Sequence, residues 1–206
     1  MPPAEPVVLG TVVRLQVQRS PLKQRPAGSG PYDPRPLLQV PALEVGPRGC
    51  WGLPADGGRV VDVHCADHPE TRHARGVNGL SVLPAAHYAR LRAAHGEHLV
   101  DGVAGENVLL DGGPLTEADL TGADLPGDDP GSRLLLEVDE GVLEVSGALA
   151  AAPCVEFTQH VLRRPVGDVG PEVRAALEEL DGGARGFYLR LTGTGTLRPG
   201  HRLLRA

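Results

Sequence analysis

The sequence lacks the features that mark membrane, secreted and zinc-ribbon proteins. No run of about 18 consecutive apolar residues is present, so we expect no helix that spans a bilayer. Residues 1–6 carry neither the basic start nor the apolar run of a secretory signal, which favours a cytoplasmic location. The three cysteines, Cys50, Cys65 and Cys154, lie far apart and form no C-x-x-C pair. A disulfide framework and a structural zinc ribbon are therefore not expected.

Cations are also scarce. The chain has 20 Lys and Arg against 26 Asp and Glu, a net charge of −6, and no long basic run. Nucleic-acid binding needs clustered cations that neutralise phosphates, so we expect no nucleic-acid partner. Lysine occurs only once, as Lys23. Because Lys23 lies in a segment rich in proline and glycine, we do not expect this chain to form a Schiff base with pyridoxal phosphate.

The chain does contain many short segments with the patterns of β-strands. Residues 7–17 read VVLGTVVRLQV and end in alternation, which predicts a strand with one buried face. Residues 20–36 are rich in proline and glycine and predict a loop, and residues 46–58 are also rich in turn-forming residues. Further strands are predicted at residues 36–40, 59–64, 107–110, 134–138, 142–145, 155–157, 186–191 and 202–204.

Two helices are marked by their ends. The first begins near Pro84, a residue suited to a first helical turn, and ends at Gly96. The second begins near Pro171 and ends at Gly182. Many short strands with only two helices predict a mostly β fold, a β-barrel with a few α-helical insertions. Neither a repeat nor a break in composition divides the chain, so we expect residues 1–206 to form a single domain.

Three blocks of residues occur in an order that is known from one family. Residues 103–108 read VAGENV, residues 143–146 read LEVS and are followed by APC at 152–154, and residues 183–191 read GARGFYLRL and are followed by GTLRPG at 195–200. Together these blocks resemble the MOSC domain, the C-terminal domain of molybdenum cofactor sulfurases. The resemblance covers roughly residues 60–204 and implies a β-barrel of MOSC type. The chain departs from the family at Ala151, where arginine is usual, and at His201, where aspartate is usual.

The resemblance implies a stand-alone MOSC-domain protein that binds molybdenum cofactor (molybdopterin) or carries persulfide sulfur on a cysteine. The matching cysteine is Cys154, which becomes the candidate catalytic residue. Sulfur would come from a partner cysteine desulfurase. An alternative within the family is a molybdenum-cofactor-dependent reductase of N-hydroxylated compounds. That activity would need an electron-transfer partner, because the chain has no G-x-G-x-x-G fingerprint and no cysteine-rich cluster.

The residues around these blocks suggest how such a site would bind and react. A cysteine becomes a thiolate near cations or a histidine, and His160, Arg163 and Arg164 follow Cys154 closely. The G-E-N block supplies a glycine that permits close approach, and a carboxylate and an amide that can orient a ligand. Arginines in the loop after residue 68 and in the Gly-rich turn near residue 185 can hold a phosphate. The candidate cofactor-binding residues are Gly105, Glu106, Asn107, Arg72, His73 and Arg185.

The densest group of possible metal ligands lies outside these blocks. Asp62 and His64 point the same way if residues 59–64 form a strand, and His68 follows after a short bend. A carboxylate with two imidazoles suits zinc or iron, so a metal-dependent hydrolase is an alternative function. A barrel that binds a small ligand without catalysis is a further alternative.

Overall fold

The computed structural model describes residues 5–23, 30–72, 79–121 and 133–206. Its strands are β1 (Val7–Gln18), β2 (Leu37–Val40), β3 (Ala42–Gly46), β4 (Gly49–Leu53), β5 (Val60–Val61), β6 (Leu80–Pro84), β7 (Val108–Asp111), β8 (Leu134–Val138), β9 (Gly141–Ala150), β10 (Phe187–Leu191), β11 (Gly195–Leu197) and β12 (Arg202–Arg205). Its helices are α1 (Ala85–His95), α2 (Glu117–Thr121), α3 (Val155–Val161) and α4 (Pro171–Glu179). No helix in these described ranges is long and apolar enough to cross a membrane.

Seven of the strands close into a barrel, in the order β1-β12-β8-β9-β10-β6-β7 and back to β1. The closing pair joins the start of β1 to β12, with Val7 opposite Arg205. Because β1 is 12 residues long, it pairs with β12 near its start, with β7 along its middle and with β2 along its last four residues. The predicted mostly β barrel with a few helices is confirmed.

One pair of neighbours in the barrel, β6 and β7, is parallel. A parallel pair cannot be joined by a hairpin and needs a longer crossover. Here the crossover consists of α1 and the loop of residues 96–107. The helix starts directly after Pro84 and is followed by Gly96, whose φ of 111° ends it, as predicted. Its buried residues include Tyr88, so the crossover packs this side chain close to the loop that leads into β7.

A second sheet of four strands, β11-β3-β4-β5, packs near β1 and β8. Its strand β4 lies in residues 46–58, where the composition predicted only turns, so that prediction was wrong. Gly49, with a φ of 124°, is the first residue of β4 and follows a two-residue turn at positions 47 and 48. A side chain at Gly52, however, would come within 3.1 Å of both Val17 and Val40. Glycine at this position therefore permits close packing of a strand against β1 and β2.

The inside of the barrel is filled by alternate side chains of its strands. In β10, Phe187, Leu189 and Leu191 are buried and Arg190 is exposed, as the alternation of side chains across a sheet requires. Corresponding residues of the other strands complete one apolar cluster, which includes Val12, Leu15, Val82, Leu110, Leu136, Val145 and Leu203. A second cluster is built largely by the helices and includes Tyr88, Leu99, Phe157, Val161 and Leu180.

Two of the predicted strands differ in the structure. Residues 155–157 begin α3, because Phe157 and Val161 lie four residues apart and are both fully buried on one helix face. Residues 59–64 contain only the two-residue strand β5, after which the chain turns, with Cys65 N donating to Asp62 O at 2.9 Å. The expectation that Asp62 and His64 share the face of a strand is therefore wrong.

Candidate functional site

A cavity of about 310 Å³ opens between the end of β1, the loop before β7 and the turn before β10. Its charged lining residues are Lys23, Glu70, Arg72, Glu106 and Arg185, and its wall also includes His64, Tyr32, Ser81 and Tyr188. The volume lies at the lower end of the range that small-molecule sites occupy, about 300 to 1,000 Å³. These residues come from segments that are far apart in the sequence, so the fold itself creates the site.

Gly105 shapes one wall of the cavity. Its φ is 86°, and a Cβ atom there would lie 2.7 Å from Leu22 Cδ1 and 2.8 Å from Gln18 Nε2. The carbonyl oxygen of Gly105 accepts a hydrogen bond from Gln18 Nε2 at 2.6 Å. Glycine is thus required by both the backbone conformation and the close approach of β1. This turn presents the next residue, Glu106, to the cavity.

Glu106 is the central polar group of the cavity wall. The residue is 5% exposed, and its Oε2 accepts the Tyr88 hydroxyl at 2.8 Å, while Oε1 has no hydrogen-bond partner. Burial raises the pKa of Glu106 from 4.5 to about 7. The hydrogen bonds from Tyr88 and from the backbone N–H of Glu106 itself, and the charges of Arg14 and Arg185, oppose this only in part. Glu106 therefore gains and loses its proton near neutral pH.

Asn107 has a different task from Glu106. Its Oδ1 accepts hydrogen bonds from Ser81 N at 3.0 Å and Ser81 Oγ at 2.9 Å. Its Nδ2 donates to Asp62 Oδ2 at 2.9 Å and to Gln16 O at 3.2 Å. These contacts join β1, β6 and the turn after β5, and they occupy both ends of the amide. Asn107 is not among the residues that line the cavity, and its amide holds these three segments together.

Arg185 is held in the cavity wall by contacts with Ala104, Phe157 and Tyr32. Its Nη2 donates to Ala104 O at 2.9 Å, and its guanidinium lies 4.6 Å from the centre of the Phe157 ring. Its Nε atom is buried and has no hydrogen-bond partner. The turn that carries it ends at Gly186, whose φ is 97° and where a Cβ atom would lie 2.4 Å from Val82 O. A glycine at this point fixes the path of the chain and hence the position of the cation.

Cys154 lies next to the cavity. The residue is partly exposed and directly precedes α3, where its carbonyl accepts hydrogen bonds from Thr158 N and Oγ1. Its thiol interacts electrostatically with Arg185, Tyr32 and Tyr188, which all line the cavity. The wall itself is formed by the preceding alanines, at positions 151 and 152, and not by Cys154. The thiol is thus partly exposed to solvent and lies close to a cation of the cavity wall.

The cations that follow Cys154 in the sequence make other contacts. Arg164 forms an ion pair with Glu172 of α4. His160 is half-buried, and burial lowers its pKa, which keeps the imidazole neutral. The cation close to the thiol is instead Arg185, which lies 31 positions further along the chain.

The predicted metal ligands do not form a metal site in the structure. Asp62 is fully buried, and its carboxylate accepts hydrogen bonds from Gln18 N at 2.7 Å, Asn107 Nδ2 at 2.9 Å and His64 N at 2.9 Å. Both ring nitrogens of His68 lie within 3.2 Å of backbone atoms. In the part of the chain that the structure describes, no group of three or more His, Cys, Asp or Glu side chains can hold a metal ion. The carboxylate of Asp62 instead stabilises the turn that places His64 in the cavity wall.

The cavity wall contains one residue that the sequence suggested in the loop after residue 68, and others that the sequence did not suggest. Arg72 lines it, whereas His73, the other residue proposed from the same loop, lies outside the described residues. Lys23 and Tyr32 form a β-bridge that brings the two ends of their loop together at the cavity, and no local pattern signals this contact. Tyr188 lies between the buried residues Phe187 and Leu189 of β10. Because side chains alternate along a strand, the sequence could have placed Tyr188 on the face of β10 that points away from the barrel core.

The fold and the site together define a small β-barrel protein with a ligand-sized cavity that is rich in cations and lies beside a cysteine. The chain belongs to the MOSC domain family, whose model matches residues 69–203. The matched range contains Glu106, Cys154 and Arg185, so all three site residues lie in the family domain.

Solved structures share this fold at low sequence identity. The YuaD protein from Bacillus subtilis superimposes with a TM-score of 0.55 at 15% identity, over 98% of this chain and 97% of that chain. A hypothetical protein gives a TM-score of 0.54 at 16% identity, over 96% of this chain and 68% of its own. YiiM from Geobacillus stearothermophilus gives 0.45 at 18% identity, over 98% of this chain and 75% of its own. No curated protein sequence matches the chain.

Proposed function

We propose that this MOSC-domain protein binds molybdenum cofactor in the cavity and uses Cys154 as a sulfur carrier or as a ligand of the metal. The observation that carries the proposal is the partly exposed Cys154 thiol in electrostatic contact with Arg185, a fixed cation of the cavity wall. A thiolate is the reactive form of cysteine both as a nucleophile and as a metal ligand.

The residues of the cavity fit the anionic part of a molybdopterin. Lys23, Arg72 and Arg185 line the same space. The buried Nε of Arg185 has no hydrogen-bond partner, and a phosphate oxygen could accept a hydrogen bond from it. When bound, the cofactor supplies a redox-active metal held by sulfur. The protein residues bind and orient the ligand, and the aromatic rings of Tyr32 and Tyr188 limit the access of water to it.

Sulfur transfer to Cys154 needs a donor that this chain does not provide. We propose a partner cysteine desulfurase that presents its own persulfide. The Cys154 thiolate attacks the outer sulfur of that persulfide, a new S–S bond forms on Cys154, the S–S bond of the donor breaks, and the donor leaves as a thiolate. The partial exposure of Cys154 permits the approach of such a partner.

The experiment combines persulfide labelling with metal analysis. Purified protein is incubated with a cysteine desulfurase and cysteine, persulfides are alkylated, and peptides are identified by mass spectrometry. We expect the label on Cys154, its loss in Cys154→Ser and its retention in the matched control Cys65→Ser, because Cys65 is buried and burial raises its pKa. Molybdenum and pterin are measured in protein made by a host that synthesises the cofactor.

The serine variant is informative only if it folds. A polar substitution at a partly exposed position is expected to change the free energy of unfolding by less than about 1 kcal/mol. Persulfide on Cys65 instead of Cys154, or protein that takes up neither sulfur nor molybdenum, contradicts the proposal.

A further inference from the structure

Two buried polar atoms in the cavity wall lack hydrogen-bond partners. Five such side-chain atoms occur among the described residues, and two of them, Glu106 Oε1 and Arg185 Nε, belong to residues that line the same cavity. Buried polar atoms in folded proteins are almost always satisfied by protein, water or a ligand. One ligand in this cavity that bonds both atoms accounts for their arrangement.

The two side chains are held in place by one chain of contacts. Arg185 Nη2 donates to Ala104 O at 2.9 Å, and Ala104 N donates to the Tyr88 hydroxyl at 2.8 Å. That hydroxyl in turn donates to Glu106 Oε2 at 2.8 Å. Burial holds the pKa of Tyr88 well above its usual range, so Tyr88 remains a donor. Because Oε2 is the accepting oxygen, Oε1 is the oxygen that remains to carry a proton when Glu106 is neutral.

The charges of the lining residues favour an anion. Arg72 and Arg185 outnumber Glu70, the lining carboxylate other than Glu106, and the third lining cation, Lys23, lies 3.9 Å from Glu156 Oε2. An anion bound near Arg185 is repelled by Glu106 when Glu106 is ionised, and is bonded by it when Glu106 is protonated. The protonation state of this one carboxyl group therefore controls the binding.

We propose that Glu106 and Arg185 together bind one tetrahedral oxyanion, with Arg185 donating through Nε and Glu106 donating through Oε1 as the neutral acid. Binding is then coupled to the uptake of one proton. The ligand class is a fully deprotonated oxyanion, such as sulfate, molybdate or the dianion of a phosphate ester. The inference rests on the cavity of the proposed function and names the anionic group it takes, but it does not require the Cys154 thiol.

The pH range of the coupling follows from Glu106, because burial raises its pKa to about 7. Below this pH the acid form that donates to the anion predominates, and above it the carboxylate repels the anion. The other titratable or charged groups that face Glu106 or share its cavity are Tyr88 from α1, Arg14 from β1, Arg185, Tyr32, Tyr188, Lys23, His64, Glu70 and Arg72. Of these, His64 is the histidine of the cavity wall and needs its own control.

Sulfate is the probe, because it carries no proton near neutral pH. Calorimetric titrations between about pH 5.5 and 8.5 should show an association constant that falls roughly tenfold per pH unit above about pH 7, as the uptake of one proton requires. At about pH 8, titrations in two buffers of different ionisation enthalpy should show uptake of about one proton. Molybdate and a phosphate monoester, titrated in parallel, distinguish an inorganic ligand from an ester.

The matched variant is Glu106→Gln. Glutamine can accept the Tyr88 hydroxyl with its oxygen and present an N–H group at the position of Oε1, so it imitates the neutral acid at every pH. We expect its sulfate affinity to be independent of pH and, at high pH, greater than that of the unchanged protein. Arg185→Gln should weaken binding roughly tenfold or more at low pH, since a charge-assisted hydrogen bond is lost.

The His64→Gln variant tests whether the proton is taken up by Glu106 or by His64. If this variant keeps the pH dependence, the coupling belongs to Glu106. The proposal is overturned if Glu106→Gln keeps the pH dependence, if His64→Gln loses it, or if the unchanged protein binds no sulfate. Persulfide labelling of Cys154 is a separate measurement, so failure of this proposal and failure of the proposed function can be told apart.

Discussion

The buried carboxyl group of Glu106 makes the stability of this protein depend on pH in a way that one substitution removes. Its pKa rises from 4.5 to about 7 in the folded protein because the side chain is buried. The unfolded chain therefore loses the proton near pH 4.5, whereas the folded protein keeps it until about pH 7. The associated stability is fully present below about pH 4.5 and is lost as the pH rises to about 7.

The size of this effect follows from the pKa difference. At about 1.4 kcal/mol per unit, a rise from 4.5 to about 7 corresponds to a loss of about 3 kcal/mol. Glu106→Gln keeps an acceptor for Tyr88 but has no proton to lose. We expect this variant to match the original protein near pH 5 and to exceed it by up to about 3 kcal/mol near pH 8.

Urea denaturation at a series of pH values measures this difference. The other titrating groups are common to both proteins, so their contributions cancel when the two free energies of unfolding are subtracted. The reasoning is refuted if the difference between the two proteins is the same at pH 5 and pH 8. A difference that grows as the pH falls has the wrong sign and refutes it equally.

Three further substitutions or treatments test other parts of the structure. Asn107→Ala removes the partners of Ser81 and Asp62 and should lower the free energy of unfolding by about 3 kcal/mol in urea, whereas the exposed Arg190→Ala should change it by less than about 0.5 kcal/mol. Gly186→Ala forces a Cβ atom against Val82 O at a φ of 97° and should cost at least about 2 kcal/mol in the same assay. Gly182→Ala, where φ is 62° and no atom lies within 4 Å, should cost clearly less, and equal costs would contradict the contact. A chelator should leave the unfolding temperature unchanged, because the described residues contain no metal-holding group; a large fall would reveal a structural metal.

The sequence predicted the strands of the barrel well where buried and exposed side chains alternate. It predicted them less well where a strand depends on close packing against distant residues. The pattern of residues 187–191 shows which residues of β10 are buried, and the structure agrees. Gly49 and Gly52 suggested turns throughout their segment, although Gly52 is needed because Val17 and Val40 pack against it. That contact is between distant strands, so nothing in the local sequence reports it.

Neighbouring residues of one motif also proved to have different tasks. Glu106 lines the cavity and Asn107 holds strands together, although the motif suggested a common role for both. Because side chains alternate along an extended chain, the sequence could have indicated that Glu106 and Asn107 point to opposite sides. In contrast, the approach of Lys23 and Tyr32 to the cavity depends on how their loop folds back, which composition does not specify.

The closure of the barrel by β1 and β12 has a consequence for the synthesis of the protein. Val7 cannot meet Arg205 until all the residues between them have been synthesised, and contacts between such distant residues form slowly. Until then β1 and β8 each lack a neighbour, and their free backbone groups can pair with other chains. Nascent or C-terminally shortened forms that lack β12 should therefore depend on chaperones and be prone to aggregate.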